Sequence, residues 1–516
     1  MGFYSYTSQY ICSSSSKSGH SRIRALLMTV VSIPRYYIHN PAQTNRPSLM
    51  PPDCGQHSRC PSEEQRLLPQ APDEQLVKHH RTPLPLFQLS ILLYMRFCEG
   101  SIHYVIEPFI NELLLSFTGG DEGTVAYLAS VMDASVYAAT LSTVWYLNRL
   151  SDTFGRKPIM VLGMIATTVS ILLVGLSTTF RAFVLSRCIF FALNQGGAAT
   201  RCAVDEMTDD SNSADAFALL SVPWALGMLI GPIVGGFLSN PHVRFPELFS
   251  GRLWEQLPYF LPCVTTLPQR PIYLDGRSTP GGARLHQIPI RSLLIPRVIL
   301  TMANGVGYAF LHTAYHAVYP LFLAMSPSVG GLGLPPSQIG LILAARGLLS
   351  SLGHALLLGP AVRRFSLGRV FTTTLISYIP TFLLFPLMNI YARDALTNNN
   401  STSRGAMWVL LVCQFGFFAT ASSGYTCMFM YIIAAAPNRR TLGAVNGLVE
   451  ISFIGARLAG SALSTFMLGV SIKRGWMGGY AVYWLMSVLA YGCVVLSRRL
   501  PKEGKEWSER DVSVNG

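Results

Sequence analysis

Apolar runs of about twenty residues, the length that crosses the hydrocarbon core of a bilayer as a helix, recur along most of this chain. Hydrophobic residues make up 50% of the 516 residues, and charged residues make up 13%. This pattern excludes an ordinary soluble multidomain protein, because such a chain would leave too much apolar surface in water. It predicts an all-α membrane protein.

Eleven of these runs are long enough to be membrane-spanning helices. They cover residues 84–110, 125–147, 159–177, 180–203, 214–238, 293–320, 338–358, 370–390, 407–433, 444–468 and 479–497. A twelfth span is expected between residues 238 and 293, but only Leu257 to Pro268 is apolar there, about half the necessary length. Either residues 253–272 cross as a short, kinked segment, or the chain lacks residues that a full-length relative has.

The remaining segments complete the predicted domain organisation. We expect a disordered cytoplasmic tail, an N-terminal helical bundle, a central cytoplasmic loop, a C-terminal helical bundle and a second cytoplasmic tail, at residues 1–82, 83–268, 269–292, 293–500 and 501–516. Glu63, Leu67 and Leu68 in the first tail fit an acidic dileucine sorting pattern, with a chance match as the alternative. A vacuolar or endosomal membrane and the plasma membrane are both compatible with this chain.

The net charge of +13 does not indicate a nucleic-acid partner, because Lys and Arg occur in short clusters between apolar runs. The clusters follow every second span, which predicts a cytoplasmic N-terminus. On the opposite side, Asn399 and Asn400 each open an N-glycosylation sequon. Lys473 and Arg474 lie on that outer side against the charge rule.

No cofactor is predicted. The sequence has no CxxC pair, no GxxxxGK[ST] nucleotide loop, and neither an HEXXH nor a GXSXG enzyme motif. We therefore expect a monomer that is not an enzyme, holds no metal, does not use ATP, and has lipid, protons and a small-molecule substrate as partners.

A polar loop between the second and third spans combines a carboxylate, a glycine and two cations at Asp152, Gly155, Arg156 and Lys157. The glycine permits a tight turn, and the charged groups can bind helix ends or facing acids. This D-x-x-G-R-K loop resembles that of the major facilitator superfamily. The resemblance implies two six-helix bundles around a midplane cavity, with this loop as a latch of the outward-facing state.

Further motifs support the same resemblance. The loop from Gly359 to Arg369 repeats the plan about 210 residues later without the aspartate, as an internal repeat would. The residues from Arg96 to Gly100 fit the R-F-x-E-P pattern of fungal drug:proton antiporter-like relatives except that Gly100 stands in place of the proline, and the branch includes zinc-induced-facilitator-like proteins. The fifth span resembles the GxxxGPxxGG pattern of antiporters, with its small residues at Gly227, Gly231, Pro232, Gly235 and Gly236. This favours exchange over symport.

The first span has one polar face. Gln88, Arg96, Glu99, His103 and Glu107 fall within an arc of roughly 100° on a helix. Since a carboxylate in hydrocarbon needs a partner or a role, Glu99 between Arg96 and His103 is the predicted proton-coupling group. A permanent pair with Arg96 is the alternative. Glu107 ranks lower, since it is expected at the outer end in contact with water.

Other intramembrane polar residues are candidates for the cavity wall or for proton coupling. The charged ones are Asp133, Arg187, Arg346, Glu450 and Arg457, and a stripe in the seventh span comprises Asn304, Tyr308, His312, His316 and Tyr319. Arg187 resembles the arginine of the superfamily's fourth helix, with snorkelling as the alternative reading. Glu450 and Arg457 could instead neutralise each other, and the seventh-span stripe could be a packing cluster.

These observations predict a secondary transporter that moves a small organic solute or drug-like compound by proton antiport and alternating access. The alternative is a transport-dead membrane sensor or a truncated relative, because the sixth span is deficient.

Overall fold

The structure, a computed structural model, describes residues 86–194, 196–208, 213–267, 295–435 and 442–501. The predicted tail 1–82, the central loop 269–292 and all but the first residue of the tail 501–516 lie outside these residues, and so does the side chain of Asp152. Within the described residues the chain forms helices and no β-strand. The all-α prediction is confirmed.

The helices follow the predicted spans closely. The N-terminal half, residues 86–267, contains α1 Leu86–Tyr104, α2 Ile110–Thr118, α3 Glu122–Phe154, α4 Arg156–Gly175, α5 Phe180–Leu193, α6 Gly196–Met207, α7 Ser213–Leu238, α8 Pro241–Arg244, α9 Arg252–Gln256 and α10 Phe260–Thr265. The C-terminal half, residues 295–501, contains α11 Pro296–Ala324, α12 Pro336–Gly353, α13 Gly359–Phe365, α14 Leu367–Thr397, α15 Ser401–Ser422, α16 Gly424–Ala435, α17 Leu442–Arg474 and α18 Ala481–Ser497. A single π-helical segment, His354–Leu358, joins α12 to α13.

Six helical segments among the described residues are long and apolar enough to cross a bilayer by length and composition. They are Glu122–Ser151, Arg156–Gly175, Pro336–Phe365, Leu367–Thr397, Ser401–Ala435 and Gly447–Arg474. Val222–Leu238 and Ala481–Ser497 are shorter apolar helices of the same kind.

Three predicted spans are each divided between two helices. In the fourth, α5 ends at Leu193 and α6 begins at Gly196, and the span 407–433 is divided into α15 and α16 at Ser423. The first ends at Tyr104, and Glu107 lies in the turn before α2. The cause is Pro108, which disfavours the helical conformation at Glu107 and has no N–H to donate. The prediction that Glu107 continues the polar face of one helix was therefore wrong.

The deficient sixth span is represented by three short helices, α8, α9 and α10, which have 4, 5 and 6 residues. None of these described helices could cross a bilayer. Instead, α10 packs on the end of α4, where a side-chain carbon at Gly175 would lie 3.1 Å from Cβ of Cys263. Tyr259 stacks on Phe109 with ring centroids 4.8 Å apart, which fixes this segment against the end of the first span.

The two halves meet along two pairs of helices, α3 with α17 and α7 with α12. We call the end of the molecule that carries Asn399 and Asn400 the sequon end, and the opposite end, which carries Gly155, the motif-loop end. Within the N-terminal half, α7 packs directly on α1. This arrangement places the polar faces of α1, α3, α5, α11 and α17 around the middle of the molecule.

Candidate functional site

Polar contacts close the sequon end between the halves. Glu122 at the start of α3 accepts hydrogen bonds from the backbone N–H and the hydroxyl of Ser326, both at 3.0 Å. Lys473 on α17 lies 3.5 Å from the Asp121 carboxylate and donates to Thr124 Oγ1 at 2.8 Å. The hydrogen bond from Thr124, with the charge of Lys473, holds the pKa of Asp121 below its usual range. These contacts of Lys473 join the two halves. They give a structural reason for a lysine that departs from the charge rule.

The glycine motif of α7 makes the close approaches that its spacing predicts. A side-chain carbon at Gly227 would lie 2.6 Å from the backbone nitrogen of Ser101, and one at Gly235 would lie 1.9 Å from the carbonyl oxygen of Val105. Gly231 meets the carbonyl oxygen of Ser101 in the same way, at 2.7 Å. Three of the motif glycines thus hold α7 against α1.

The remaining motif residues face the other half. A side-chain carbon at Gly236 would lie 2.3 Å from the carbonyl oxygen of Pro336, and one at Gly340 would lie 2.2 Å from that of Pro232. The sequence did not single out Gly340, because the reason for a glycine there is its contact with a helix that lies more than a hundred residues away in the chain.

At the motif-loop end, Gly155 has a φ of 91° and a ψ of 167°, a conformation open essentially to glycine alone. The residue separates α3 from α4, and the Arg156 guanidinium donates to the hydroxyl of Ser151 at 3.1 Å. Ser366 takes the same position between α13 and α14, with φ 72° and ψ 152°. The turn of the second copy is therefore at Ser366, not at the Gly368 that matches Gly155 in the repeat pattern.

The buried carboxylate of Glu99 forms an ion pair with the partly buried guanidinium of Arg96, one turn earlier on α1. The guanidinium of Arg96 also lies over the ring of Trp224, 4.6 Å from its centroid, and a side-chain carbon at Gly197 would lie 2.9 Å from Arg96 Nη1. Glu99 Oε1 has no hydrogen-bond partner among the described residues. Because both members belong to α1, their ion pair does not depend on how the halves are placed.

His103 is packed among rings of the N-terminal half, Phe191 and Trp224 among them, with ring centroids 5.8 and 5.9 Å away. Arg187 on α5 is buried beside the same group and lies 5.2 Å from the Phe191 centroid. Its Nη1 is buried without a hydrogen-bond partner among the described residues. Arg187 interacts electrostatically with Asp133 on α3, so it does not snorkel toward water.

Glu107 and Arg346 approach each other across the two halves. Arg346 Nη2 on α12 lies 3.9 Å from Glu107 Oε2, and the side chains are 1% and 17% exposed respectively. The expected solvation of Glu107 at the outer end was wrong. Tyr315, Tyr319 and Phe418 surround the guanidinium with ring centroids 5.6, 5.0 and 5.2 Å from Cζ, and we call these three rings the aromatic cage.

The seventh-span stripe lies on α11 as one connected group. His312 Nδ1 is 2.9 Å from the hydroxyl of Tyr378, and the rings of His312 and His316 are 4.7 Å apart. Tyr308 donates to the carbonyl oxygen of Ser422 at 3.0 Å. Asn304 is buried one turn earlier and donates to the carbonyl of Leu300. No cluster of three metal-ligating side chains occurs among the described residues.

Glu450 and Arg457 on α17 form an ion pair with 3.7 Å between Nη1 and Oε1. Arg457 also donates to the hydroxyl of Tyr425 at 2.9 Å. The structure thus brings each cationic candidate of the middle layer near a carboxylate. Sequence reasoning missed Trp224, Tyr425 and Phe418, for which an aromatic residue in an apolar run gives no distinct signal.

The comparisons with known proteins agree with this architecture. A family model for the Major Facilitator Superfamily matches residues 92–267. The chain is 24% identical over 470 residues to the major facilitator-type transporter psiT2 of Psilocybe cubensis, covering 80% of this chain and 89% of that protein. It is 24% identical to efflux pump azaK of Aspergillus niger, covering 81% and 88%. Protein ZINC INDUCED FACILITATOR-LIKE 1 of Arabidopsis thaliana is also 24% identical, with 81% and 92% covered.

Among solved structures, the fold is similar to that of a D-xylose-proton symporter. The TM-score is 0.57 at 13% identity, with 81% of this chain and 99% of that chain covered. A nucleoside transporter, NupG, gives 0.54 at 14% identity, with 80% and 98% covered. The motifs, the two packed halves and these relatives lead to one conclusion: the chain is an integral, multi-pass membrane protein that resembles transporters of the major facilitator superfamily in sequence and in fold.

Proposed function

We propose that this protein is a secondary active transporter that exchanges protons for a small organic solute by alternating access. The observation that carries the proposal is a difference in exposure between polar side chains at the two ends of α17. Ser461 and Thr465 are 1% and 0% exposed toward the sequon end, while Arg457 and Glu450 are 27% and 36% exposed toward the motif-loop end. A side-chain carbon at Gly455 would meet nothing within 4 Å. This is the pattern of a cleft closed at one end and open at the other.

The solute site that we propose lies in the middle layer between the halves. It combines hydrogen-bonding groups with rings, from His103 and Trp224 on one side to His312, His316 and Tyr425 on the other. Such walls suit a small organic or drug-like compound, because rings give apolar contact area and the polar atoms fix orientation. The similarity to an efflux pump supports export as the direction.

We propose that the motif-loop end is cytoplasmic and that the sequon end faces the lumen or the outside. The basic clusters and the sequons support this orientation. In this orientation the structure corresponds to an inward-facing state. The latch expected of Asp152, Gly155, Arg156 and Lys157 acts in the outward-facing state and would not be engaged here. The membrane is vacuolar, endosomal or plasma membrane.

Transport by the purified chain in liposomes tests the proposal. We expect an imposed proton gradient to drive accumulation of at least one compound from a panel of fluorescent organic solutes, and a protonophore to abolish it. Empty liposomes and protein reconstituted without a gradient are the controls. Proton exchange would be rejected if the folded, correctly oriented protein transported no member of the panel and did not acidify the interior of the liposomes.

A transport-dead sensor is the second candidate, and the short helices of residues 241–265 favour it. A sensor would bind a solute with a saturable affinity in detergent and show no flux in the same liposomes. Binding and flux measured on one preparation therefore separate the two functions.

A further inference from the structure

His312 on α11 is held in one orientation within the C-terminal half. Its ring lies nearly parallel to those of Tyr308 and Phe418, with interplanar angles of 18° and 15° and ring centroids 5.6 and 5.9 Å away. Its Nδ1 atom lies 2.9 Å from the hydroxyl of Tyr378 on α14. These contacts restrict rotation of the imidazole, so the direction of each ring nitrogen is fixed.

A chain of hydrogen bonds decides which nitrogen of His312 carries the proton. The hydroxyl of Tyr308 lies 3.0 Å from the carbonyl oxygen of Ser422 and 3.3 Å from that of Ala421. A carbonyl oxygen can only accept, so the single proton of this phenol is directed to the carbonyls. The hydroxyls of Tyr308 and Tyr378 are hydrogen-bonded to each other, and Tyr378 must be the donor in that bond.

Tyr378 therefore has no second proton to give to His312. Its oxygen accepts a hydrogen bond from His312 Nδ1, which must carry the imidazole proton. A histidine is mostly neutral at pH 7 and then has a single N–H group. The Nε2 atom of His312 is consequently an acceptor, with a lone pair and no proton.

This acceptor can be reached from the gap between the halves. The Nε2 atom of His312 makes no hydrogen bond to any described residue, and it is not buried. His316, one turn away on α11, interacts electrostatically with His103 of the opposite half, so this part of α11 faces the gap in which the proposed solute site lies. A solute must offer an N–H or O–H group to form a hydrogen bond with Nε2.

The charges around the gap favour a solute without net charge. Each arginine among the described residues of the middle layer has a carboxylate near it, so the charges of these groups balance. A charged solute would leave its own charge uncompensated among apolar side chains, which is costly. The balanced pairs are Arg96 with Glu99, Arg187 with Asp133, Arg346 with Glu107 and Arg457 with Glu450.

We propose that His312 Nε2 is the hydrogen-bond acceptor that selects the solute, and that the solute is a neutral ring compound with an N–H or O–H group. The rings of His316 and Phe418, with centroids 4.7 and 5.9 Å from that of His312, favour a planar ring beside this acceptor. Tyr378 is a positioning residue, because it acts only through His312. The inference rests on the proposed function and names its class of solute.

Binding of matched compounds to the full chain in detergent tests this inference by isothermal titration calorimetry, with protein-free micelles as the baseline. The pairs are benzimidazole with 1-methylbenzimidazole, and 2-naphthol with 2-methoxynaphthalene. In each pair, a methyl group replaces the donor hydrogen. For the parent protein we expect the methylated member to bind at least about tenfold more weakly, because Nε2 then has no partner. Equal binding of both members, or binding of neither, would overturn the inference.

Tyr378→Phe separates the hydrogen bond from a steric effect of the methyl group. Without the Tyr378 oxygen, the proton of His312 Nδ1 has no acceptor and can move to Nε2. 1-Methylbenzimidazole keeps a nitrogen acceptor and can then bond to the Nε2–H group. We therefore expect the ratio of the two dissociation constants for the benzimidazole pair to fall from about ten toward one. A steric effect at Nε2 would leave this ratio unchanged.

Tyr483→Phe is the matched control. Tyr483 is a buried tyrosine of the same half that stacks on Phe385 with ring centroids 4.8 Å apart, and His312 is not among its ring contacts. This variant should keep the parent ratio. His312→Phe retains a ring and removes the acceptor, so both members of each pair should bind equally. The parent ratio in folded Tyr378→Phe protein, or in His312→Phe protein if the first variant does not fold, would contradict the role of Nε2.

Solute flux measured in liposomes keeps the two proposals apart. A parent protein that prefers the N–H and O–H compounds in the binding assay but transports no compound retains the role of His312 and rejects the transport function. A parent protein that shows proton-driven flux of a fluorescent solute, but binds both members of each pair equally or binds neither, rejects only the role of His312.

Discussion

Gly236 in the N-terminal half and Gly340 in the C-terminal half meet backbone against backbone. A side-chain carbon on either residue would lie 3.2 Å from the Cα of the other and less than 2.5 Å from a carbonyl oxygen of the facing helix. Contacts this short leave no space for a methyl group unless a helix moves. The closed sequon end therefore requires glycine at both positions, in addition to the polar clamps at its rim.

Gly340→Ala should shift the protein toward the state with an open sequon end. Overpacking of this kind costs about 1–3 kcal/mol in the closed state, and ~1.4 kcal/mol corresponds to a tenfold change in population. A cysteine at Ser130, which contacts Ala462 across the halves, should then react about tenfold faster with an impermeant thiol reagent.

Gly416→Ala is the matched control for this substitution, because a side-chain carbon there would meet nothing within 4 Å. It should leave the labelling rate of the cysteine at Ser130 unchanged. Equal labelling in the Gly340→Ala and Gly416→Ala proteins would show that the glycine contact does not hold the sequon end closed.

The substitutions Gly155→Ala and Ser366→Gly should have opposite effects on the stability of the protein. Both have a backbone conformation that costs a non-glycine residue about 1–3 kcal/mol. We expect Gly155→Ala to lower the apparent melting temperature of the purified protein and Ser366→Gly to raise it. The Ser366 hydroxyl is buried without a partner among the described residues, so its removal sacrifices no hydrogen bond that the structure shows.

Ser366→Ala separates backbone strain from the loss of the hydroxyl, because alanine keeps the strain. It should not reproduce the stabilisation of Ser366→Gly. If both variants raise the melting temperature equally, the buried hydroxyl rather than the backbone is the source of the cost.

Glycosylation should occur at Asn399 rather than at Asn400. The Asn400 side chain accepts a hydrogen bond from the backbone N–H of Thr402 at 3.0 Å and caps α15. In a eukaryotic host, Asn399→Gln should abolish the glycosidase-sensitive gel shift, while Asn400→Gln should keep it and lose about 1 kcal/mol of stability with the cap. Loss of the gel shift in the Asn400→Gln protein alone would contradict this assignment. A gel shift that persists in both single variants and in the double variant would contradict the topology.

Glu99→Gln should affect stability more than proton coupling. The sequence ranks Glu99 first for coupling, but its partner Arg96 lies on the same helix and moves with it. Removing one member of a buried pair costs about 3–5 kcal/mol, so we expect lower yield and a lower melting temperature. Proton-driven solute flux in liposomes should remain in the folded fraction. A well-folded Glu99→Gln protein without proton-driven flux would return the coupling role to Glu99.

The sequence predicts the helices well, because each apolar run must be a helix if its backbone is to be satisfied in lipid. The glycine contacts between α7 and α1 could also be predicted, since their spacing on one helix is visible. The ion pair of Glu107 with Arg346 could not, because no periodicity connects two residues in different halves. Lys473 was visible as an exception to the charge rule, but its partner Asp121 was not. The end of the first helix had a signal in Pro108, which the continuous polar stripe obscured.

All three rings of the aromatic cage belong to the C-terminal half, on α11 and α15. Arg346 therefore keeps its positive charge and its contacts with these rings whichever end of the molecule is open, and it carries no charge across the bilayer. In the proposed exchange, a neutral solute that moves against one proton transfers one net charge per cycle. Membrane voltage then contributes about 2.3 kcal/mol for each 100 mV, as a second driving force beside the pH difference.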